Sequence, residues 1–273
     1  MNGTTRARKR PHLSVVIPAF NEEGVILSSL DKVHAYLSGR DYPFEILPVD
    51  DGSTDRTSEL ALDFAERHEA CRPIRLPRNL GKGGAVRKGF EEARGRFILF
   101  TDADLSTPIH EIERFLRLLE EGYHVVIGSR DLPDSDVRVH QPWYRETMGK
   151  VFNRIVRVIV LRGFRDTQCG FKAFDRESVL PILNAMRING FAFDVEMLYL
   201  ARKMGLRLRE EPITWMNSPD TRVDAVHDAS RMFVDLLRIR YYDVFGRYRL
   251  PDRGLSSVDG RGRSIVQEDG ERE

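Results

Sequence analysis

The 273-residue sequence has little cysteine: only Cys71 and Cys169, with no CxxC pair. No apolar secretory leader opens the chain either, so a disulfide framework is excluded and a reducing, cytoplasmic setting is expected. No apolar run approaches the ~20 residues of a membrane-spanning helix, and no transmembrane helix is predicted. Charge of one sign is also lacking: 43 Lys and Arg stand against 42 Asp and Glu, a formal net charge of +1. Without a global field to attract polyanions, nucleic acid is not an expected partner. Among the seven histidines, His110, His124 and His227 lie in unrelated contexts without ligand-like spacing, which gives no support to a His-based metal site or a Ser-His-Asp triad.

What is present is an ordinary globular composition, 41% hydrophobic and 31% charged. The length suits one large α/β domain or two small ones. Residues 1–12 are polar and basic and residues 251–273 are almost without apolar content, so both are expected to be flexible tails around a single domain at 13–250. Short continuous apolar runs alternate with segments of helical period, the pattern of βαβ units. Strands are predicted over 13–20, 44–51, 72–77, 96–102 and 124–130, and helices over 22–37, 55–67, 83–93 and 109–120. Continuous rather than alternating hydrophobicity implies strands covered on both faces in a Rossmann-like, mainly parallel sheet flanked by helices.

Carboxylates gather where these strands end, and in open parallel sheets that rim lines the ligand crevice. In "FTDADLSTP" (100–108), Asp102 and Asp104 are spaced i, i+2, which in an extended segment directs both carboxylates to one side. Such a pair can share one hard divalent cation whose open positions take phosphate oxygens. An isolated DxD reads more often as punctuation before a helix, so the weight rests on its neighbours. "VDDGSTDRT" (49–57) supplies a Gly-Ser turn and Asp55 as a helix cap. Asp51 is left over as an acceptor for a nucleobase or ribose, and Asp50 reads equally as a loop brace. In "IPAFNEEG" (17–24), Glu22 and Glu23 are placed in the first turn of a helix, where the dipole alone accounts for Glu23. Glu22 is the better ligand candidate.

"RNLGKGGAV" (78–86) satisfies neither the P-loop nor the dinucleotide pattern. Gly83 and Gly84 suit a close strand-to-helix turn that could present N–H groups to phosphate, and Lys82 is a candidate phosphate contact. In "FAFDVEMLYLARKMG" (191–205), Asp194 and Glu196 open an apolar helix, where acidic residues also suit the dipole. The segment 224–248 has apolar residues near helical spacing, interspersed with arginines and aromatics. It reads as a terminal helix packed on the domain or as an amphipathic helix at an anionic bilayer.

Taken in order, "IPAFNEE", "VDDGSTD", "GKGGAVRKGF", "DADLSTP", "GSR", "DTQCGFKAF" and "FAFDVEMLYLA" resemble inverting glycosyltransferases of family 2, whose fold is called GT-A. The resemblance covers about residues 13–247 and is strongest to the dolichyl-phosphate sugar synthases, the glucose branch rather than the mannose branch. It implies that Pro18, Phe20, Glu22, Asp51 and Ala103 surround a nucleotide sugar, with Lys82 beside them, and that Asp102 and Asp104 hold Mg²⁺ or Mn²⁺. It also implies that Arg130, Arg145 and Arg222 lie around donor and acceptor phosphates, with Asp194 and Glu196 near the acceptor. Ser106 stands where mannose-transferring relatives often have glutamine, so no metal role passes to it. The expected reaction is metal-dependent, inverting transfer of glucose from UDP-glucose to a polyprenyl phosphate, dolichyl or undecaprenyl, by a protein in peripheral contact with a membrane. GDP-mannose or another donor, a non-lipid acceptor, and a non-catalytic nucleotide-sugar binder are the alternatives.

Overall fold

The computed structural model describes residues 10–139, 143–161, 163–216 and 225–250. Its first half follows the alternation read from the sequence: β1 (Leu13–Ala19), α1 (Ile26–Ser38), β2 (Phe44–Asp50), α2 (Thr57–Arg67), β3 (Ile74–Arg75), α3 (Lys82–Glu92), β4 (Phe97–Thr101), α4 (Ile112–Glu120) and β5 (Val125–Ser129). There follow β6 (Asp136–Val139), α5 (Trp143–Ile159), β7 (Phe171–Asp175), α6 (Arg176–Leu183), α7 (Phe193–Lys203), β8 (Leu208–Pro212), β9 (Thr214–Met216) and α8 (Ala225–Val244). Seven strands form one sheet in the order β3-β2-β1-β4-β7-β5-β8, and β6 pairs with β9 in a small second sheet.

Every pairing in the large sheet is parallel except those of β7, which runs antiparallel between β4 and β5. The mainly parallel Rossmann-like sheet is therefore as expected, with one inserted strand. All of β1, β4 and β5 is buried, because side chains alternate between two covered faces. Val16 and Phe100 enter one core with Phe90, Phe174 and Phe193. Val15 and Ile17 enter the other with Phe64, Phe115 and Phe171. Burying both faces in this way is the main stabilising term, on the order of 25 cal/mol per Å² of apolar area.

Four boundaries differ from the expectation, each for a local reason. The strand expected at 72–77 shrinks to Ile74–Arg75, since Pro73 and Pro77 have no N–H to give a ladder at this sheet edge. Helix α1 starts at Ile26 rather than Glu22. Asn21 adopts a left-handed φ of 55°, and Glu22 and Glu23 sit in the turn before the helix. That turn interlocks with the next loop: Asn21 N–H donates to Ser53 Oγ, Thr54 N–H to Asn21 Oδ1, and Glu22 N–H to Thr57 Oγ1. Helix α2 starts at Thr57, two residues after Asp55, whose Oδ1 accepts from the Thr57 N–H and hydroxyl. Helix α4 is preceded by a 3-10 turn at Ile109–Glu111. Helix α8 lies within the expected 224–248, while both expected tails fall almost wholly outside the described residues.

Candidate active site

The carboxyl ends of β2 and β4 deliver Asp51 and Asp102 to one rim of the sheet. Beyond β4 the chain is not extended, as the sequence reading supposed. Asp102 to Leu105 form a turn, with Leu105 N–H donating to Asp102 C=O at 3.1 Å and Leu105 at φ 49°. The two carboxylates are presented by turn geometry instead of by strand alternation. Asp104 is fixed by Ser106, whose N–H and hydroxyl donate to its two oxygens at 2.9 Å each. Ser29 Oγ holds the Ala103 carbonyl at 2.5 Å, and Met216 N–H donates to Ser106 C=O, which ties the turn to β9. Beneath Asp102 lies Gly170, where a Cβ would overlap the carboxylate. Backbone, not side chain, is required at that position.

Lys82, the first residue of α3, places its ammonium 2.7 Å from Asp102 Oδ1. Asp102 Oδ1 is buried, and the Lys82 ammonium is the charge that neutralises it. Across the crevice Lys172, opposite Phe100 in the β4–β7 register, is 1% exposed. Its ammonium reaches Asp194 Oδ1 at 3.1 Å and donates to Cys169 C=O at 2.6 Å. Both ammoniums lie near the face of Phe100, at 5.5 Å and 5.6 Å from its centroid. The outcome is a row of charge in which the like-charged Asp104 and Asp102 are followed in alternation by Lys82, Asp194 and Lys172.

Electrostatics follow from that row. Burial acts to lower the Lys82 ammonium, but Asp102, then Asp194 and Asp104, hold it above its ordinary value. Burial, then the Asp102 charge, pushes the Asp104 carboxyl up, against its bonds from Ser106 and the Lys82 charge. Asp194 is pushed up by burial, with Lys172 and Lys82 opposing. Burial lifts the nearby Cys169 thiol to about 12, which makes it a poor nucleophile.

Arg130, at the end of β5, is engaged by Asp166 in a fork: Nε donates to Oδ2 at 2.6 Å and a terminal N–H donates to Oδ1 at 3.0 Å. Asp166 is 1% exposed, and although burial acts to raise its carboxyl, Arg130 holds it below its ordinary value. Arg130 keeps 28% of its side chain exposed, enough to meet an anion while its orientation is fixed. Asp166 and Lys172 were missed by reasoning from the sequence, although both stand in "DTQCGFKAF". The available signal was a lysine interrupting an apolar run.

The other expected residues are placed as follows. Pro18 is buried in β1, Phe20 is 42% exposed just beyond it, and Glu22 is half-buried in the interlocked turn. Asp51 is 3% exposed and already accepts from Leu80 N–H at 2.7 Å and Gly81 N–H at 2.9 Å; burial nonetheless lifts its carboxyl. Asp50 accepts from Ser53 N–H, the loop brace anticipated for it. Gly83 and Gly84 donate to Asn189 C=O at 2.8 Å and 3.3 Å, so the N–H groups imagined for phosphate are spent on a loop. Glu196 is not brought to the row of charge. It is fully buried and accepts from Arg187 N–H, Ile188 N–H and the Tyr248 hydroxyl. Arg145 falls on α5 at a position whose side chain is not described, and Arg222 lies outside the described residues.

Among the described residues no three His, Cys, Asp or Glu side chains are grouped to hold a metal ion. Asp102 and Asp104 fit a hard cation only as part of a shell, the rest coming from ligand oxygens. Asp102 Oδ1, buried and met at 2.7 Å by the Lys82 ammonium, already sits where positive charge is favoured.

Comparison with known proteins shows the family and the fold. Residues 14–182 match the family described as Glycosyl transferase family 2. A dolichyl-phosphate beta-glucosyltransferase from Dictyostelium discoideum is 33% identical over 251 residues, covering 88% of this chain and 77% of that protein. The enzyme of the same name from Saccharomyces cerevisiae is 34% identical over 255 residues, covering 87% and 76%. Among solved structures, glucosyl-3-phosphoglycerate synthase from Mycobacterium tuberculosis, with Mn²⁺, UDP and its product, aligns with a TM-score of 0.63 at 21% identity over 90% of this chain and 83% of that one. A mannosyltransferase from Pyrobaculum calidifontis with GDP-Man and Mn²⁺ aligns at 0.58 and 20% identity, covering 89% and 67%. The GT-A architecture expected from the sequence is shared with these structures.

Proposed function

Since the chain belongs to glycosyl transferase family 2 and is a glycosyltransferase, we propose that it transfers glucose from UDP-glucose to a polyprenyl phosphate, with inversion at the anomeric carbon. The observation that carries this reading is the pairing of Asp102 and Asp104 at the carboxyl end of β4, with the Lys82 ammonium 2.7 Å from Asp102. Such a rim suits a diphosphate leaving group. The names of the relatives favour glucose and a lipid phosphate.

Asp102 and Asp104 would hold Mg²⁺ or Mn²⁺, which supplies Lewis-acid stabilisation of the departing diphosphate. Pro18, Phe20, Glu22, Asp51 and Ala103 line the nucleotide. Lys82 takes donor phosphate oxygens, and Arg130, Arg145 and Arg222 take donor and acceptor phosphates. The acceptor phosphate oxygen bonds to the anomeric carbon as the bond to UDP breaks, the electron pair leaving with UDP. Phosphate is already ionised near neutral pH, so no strong general base is required, and Asp194 serves to orient through Lys172. Glu196 acts at a distance, by holding the 187–190 loop against α3.

Peripheral contact at the cytoplasmic face of a membrane belongs to the same reading. No described helix is long and apolar enough to cross a membrane. Helix α8 exposes Phe233, Val234, Leu237, Tyr241 and Val244, between about 40% and 70% each. These fall on one flank of the helix while Met232, Leu236 and Ile239 are buried on another. Exposed Arg231 and Arg238 border the apolar flank, as binding at an anionic lipid surface requires.

The test is to incubate the protein with a panel of nucleotide sugars, detergent-solubilised polyprenyl phosphate and Mg²⁺ or Mn²⁺, then identify the product by mass. Polyprenyl-phosphate glucose formed from UDP-glucose, with release of UDP, is the expected result. Consumption of GDP-mannose, or turnover only with a soluble acceptor, would replace this reading. Vesicle flotation of the full chain against a truncation before Asp224 tests the membrane contact; equal flotation would remove it.

A further inference from the structure

Lys82 is a costly residue where it stands. As the first residue of α3 it sets a positive charge at the positive end of a helix, and a largely buried ion pair is weak justification in stability alone. Its ammonium occupies Asp102 Oδ1 at 2.7 Å, the oxygen a divalent cation would take. The neighbouring Lys172 is 1% exposed and also bonded to the Cys169 carbonyl. Lys82 differs: it is 28% exposed, and among the described residues its ammonium contacts only Asp102 and the rings of Phe100 and Phe191, with Asp194 and Asp104 acting on it from farther off. Its four-carbon stem can swing, whereas Lys172 is locked.

We propose that Lys82 is a mobile stand-in for the divalent cation: it neutralises Asp102 while the site is without metal, is driven off that carboxylate when the cation binds, and is then captured by the donor diphosphate. The proposal rests on reading Asp102 and Asp104 as the cation's ligands. Three carboxylates, Asp102, Asp104 and Asp194, face two ammoniums, so the row carries one surplus negative charge. A dication turns that into one surplus positive charge, which only an arriving anion balances. Lys82 thereby weakens cation binding in the absence of donor and strengthens it in the donor's presence, a positive coupling between the two ligands.

The experiment measures Mn²⁺ binding to the full chain by the loss of the free-ion EPR signal, with and without UDP. Lys82→Met is expected to bind Mn²⁺ about tenfold more tightly than wild type without UDP, and to lose most of the tightening that UDP confers on wild type. Lys82→Arg keeps the charge and should stay near wild type. Equal or weaker Mn²⁺ binding by the Met variant without UDP overturns the proposal, and so does an Arg variant as tight as Met. In wild type, Mn²⁺ alone should raise amine acylation at Lys82, read by peptide mass; unchanged labelling also overturns it and does not depend on either variant folding. If no protein binds Mn²⁺ even with UDP, the cation reading of Asp102 and Asp104 fails together with this inference. Binding without the expected difference defeats the inference alone.

Discussion

Asp194 and Glu196 stand two residues apart on α7, both nearly or fully buried, yet they face different surroundings. Two residues on a helix are separated by about 200°, so one carboxylate turns toward the sheet crevice and the other toward the 187–190 loop. Asp194 meets ammonium groups, Lys172 at 3.1 Å with Lys82 nearby. Glu196 meets neutral donors: the N–H groups of Arg187 and Ile188 and the hydroxyl of Tyr248. Charge met by charge makes a row whose balance shifts when a cation or a diphosphate arrives. Charge met by backbone dipoles makes a fastening with no reason to move. The difference teaches that burial of an acid does not by itself mark a functional residue; the nature of its partners does.

The sharpest way to test that contrast is at the far end of the row. Asp104→Asn preserves size and can still accept from Ser106, but removes one of the two negative charges facing the cation. Turnover at saturating Mg²⁺ or Mn²⁺ is expected to fall by about 10²–10³, with a melting temperature close to wild type. Undiminished turnover would show that this pair does not hold the cation. Glu196→Gln should do the reverse, lowering stability while leaving kcat of the folded fraction near wild type.

Within the row, Lys172 carries the largest stability effect. Lys172→Met leaves Asp194 buried beside Lys82 alone, and breaking such a pair costs about 3–5 kcal/mol. Chemical denaturation should read this as a lowered midpoint with unchanged slope. Adding Asp194→Leu to Lys172→Met should restore much of the stability, because no charge is then left uncompensated, without restoring turnover. If the double variant were no more stable than the single, the two residues would not be acting as a pair.

Why one side of this comparison was legible and the other was not is a matter of range. The strands β1, β2, β4 and β5 announce themselves as continuous apolar runs, and the aspartates at their ends mark a rim through chain order alone. Lys172 and Asp194 are 22 positions apart, and only the insertion of β7 between β4 and β5 brings them together. No local pattern encodes that strand order. Asp166 shows the same limit: its role becomes visible only through Arg130, which the antiparallel pairing of β5 with β7 brings beside it. Asp194 and Glu196 both read as first-turn acids suited to a helix dipole, and the sequence offers no means of telling an ion pair from a loop fastening. The extended DxD expected from alternation became a turn because Leu105 takes a left-handed conformation, one that a leucine does not advertise.

The fastening has its own pH signature. Burial raises the Glu196 carboxyl above its ordinary value despite the bonds it accepts, so the folded state binds this proton more tightly than the unfolded chain does. Stability from this group is then fully present below the unfolded value and declines as pH rises through the folded one. Wild type should therefore lose stability relative to Glu196→Gln as pH climbs above the ordinary carboxylate range, although Gln is the less stable at every pH because its amide N–H₂ confronts a backbone donor. A gap between the two that is constant with pH would show that Glu196 does not titrate in this window.

The smallest effect belongs to Tyr248, where the C-terminal segment meets the same fastening. Its hydroxyl donates to Glu196 Oε1 at 2.8 Å, and burial, then the Glu196 charge, raises it well above the ordinary phenol value. Tyr248→Phe keeps the ring against the core and removes one bond to a charged acceptor, leaving Glu196 the two backbone donors. The expected cost is about 1–2 kcal/mol, with no change in Mn²⁺ affinity or in kcat, because nothing in the row of charge touches this ring. Loss of Mn²⁺ binding in Tyr248→Phe would mean that the two faces of α7 communicate, and would dissolve the distinction between the group that answers a ligand and the group that only holds the frame.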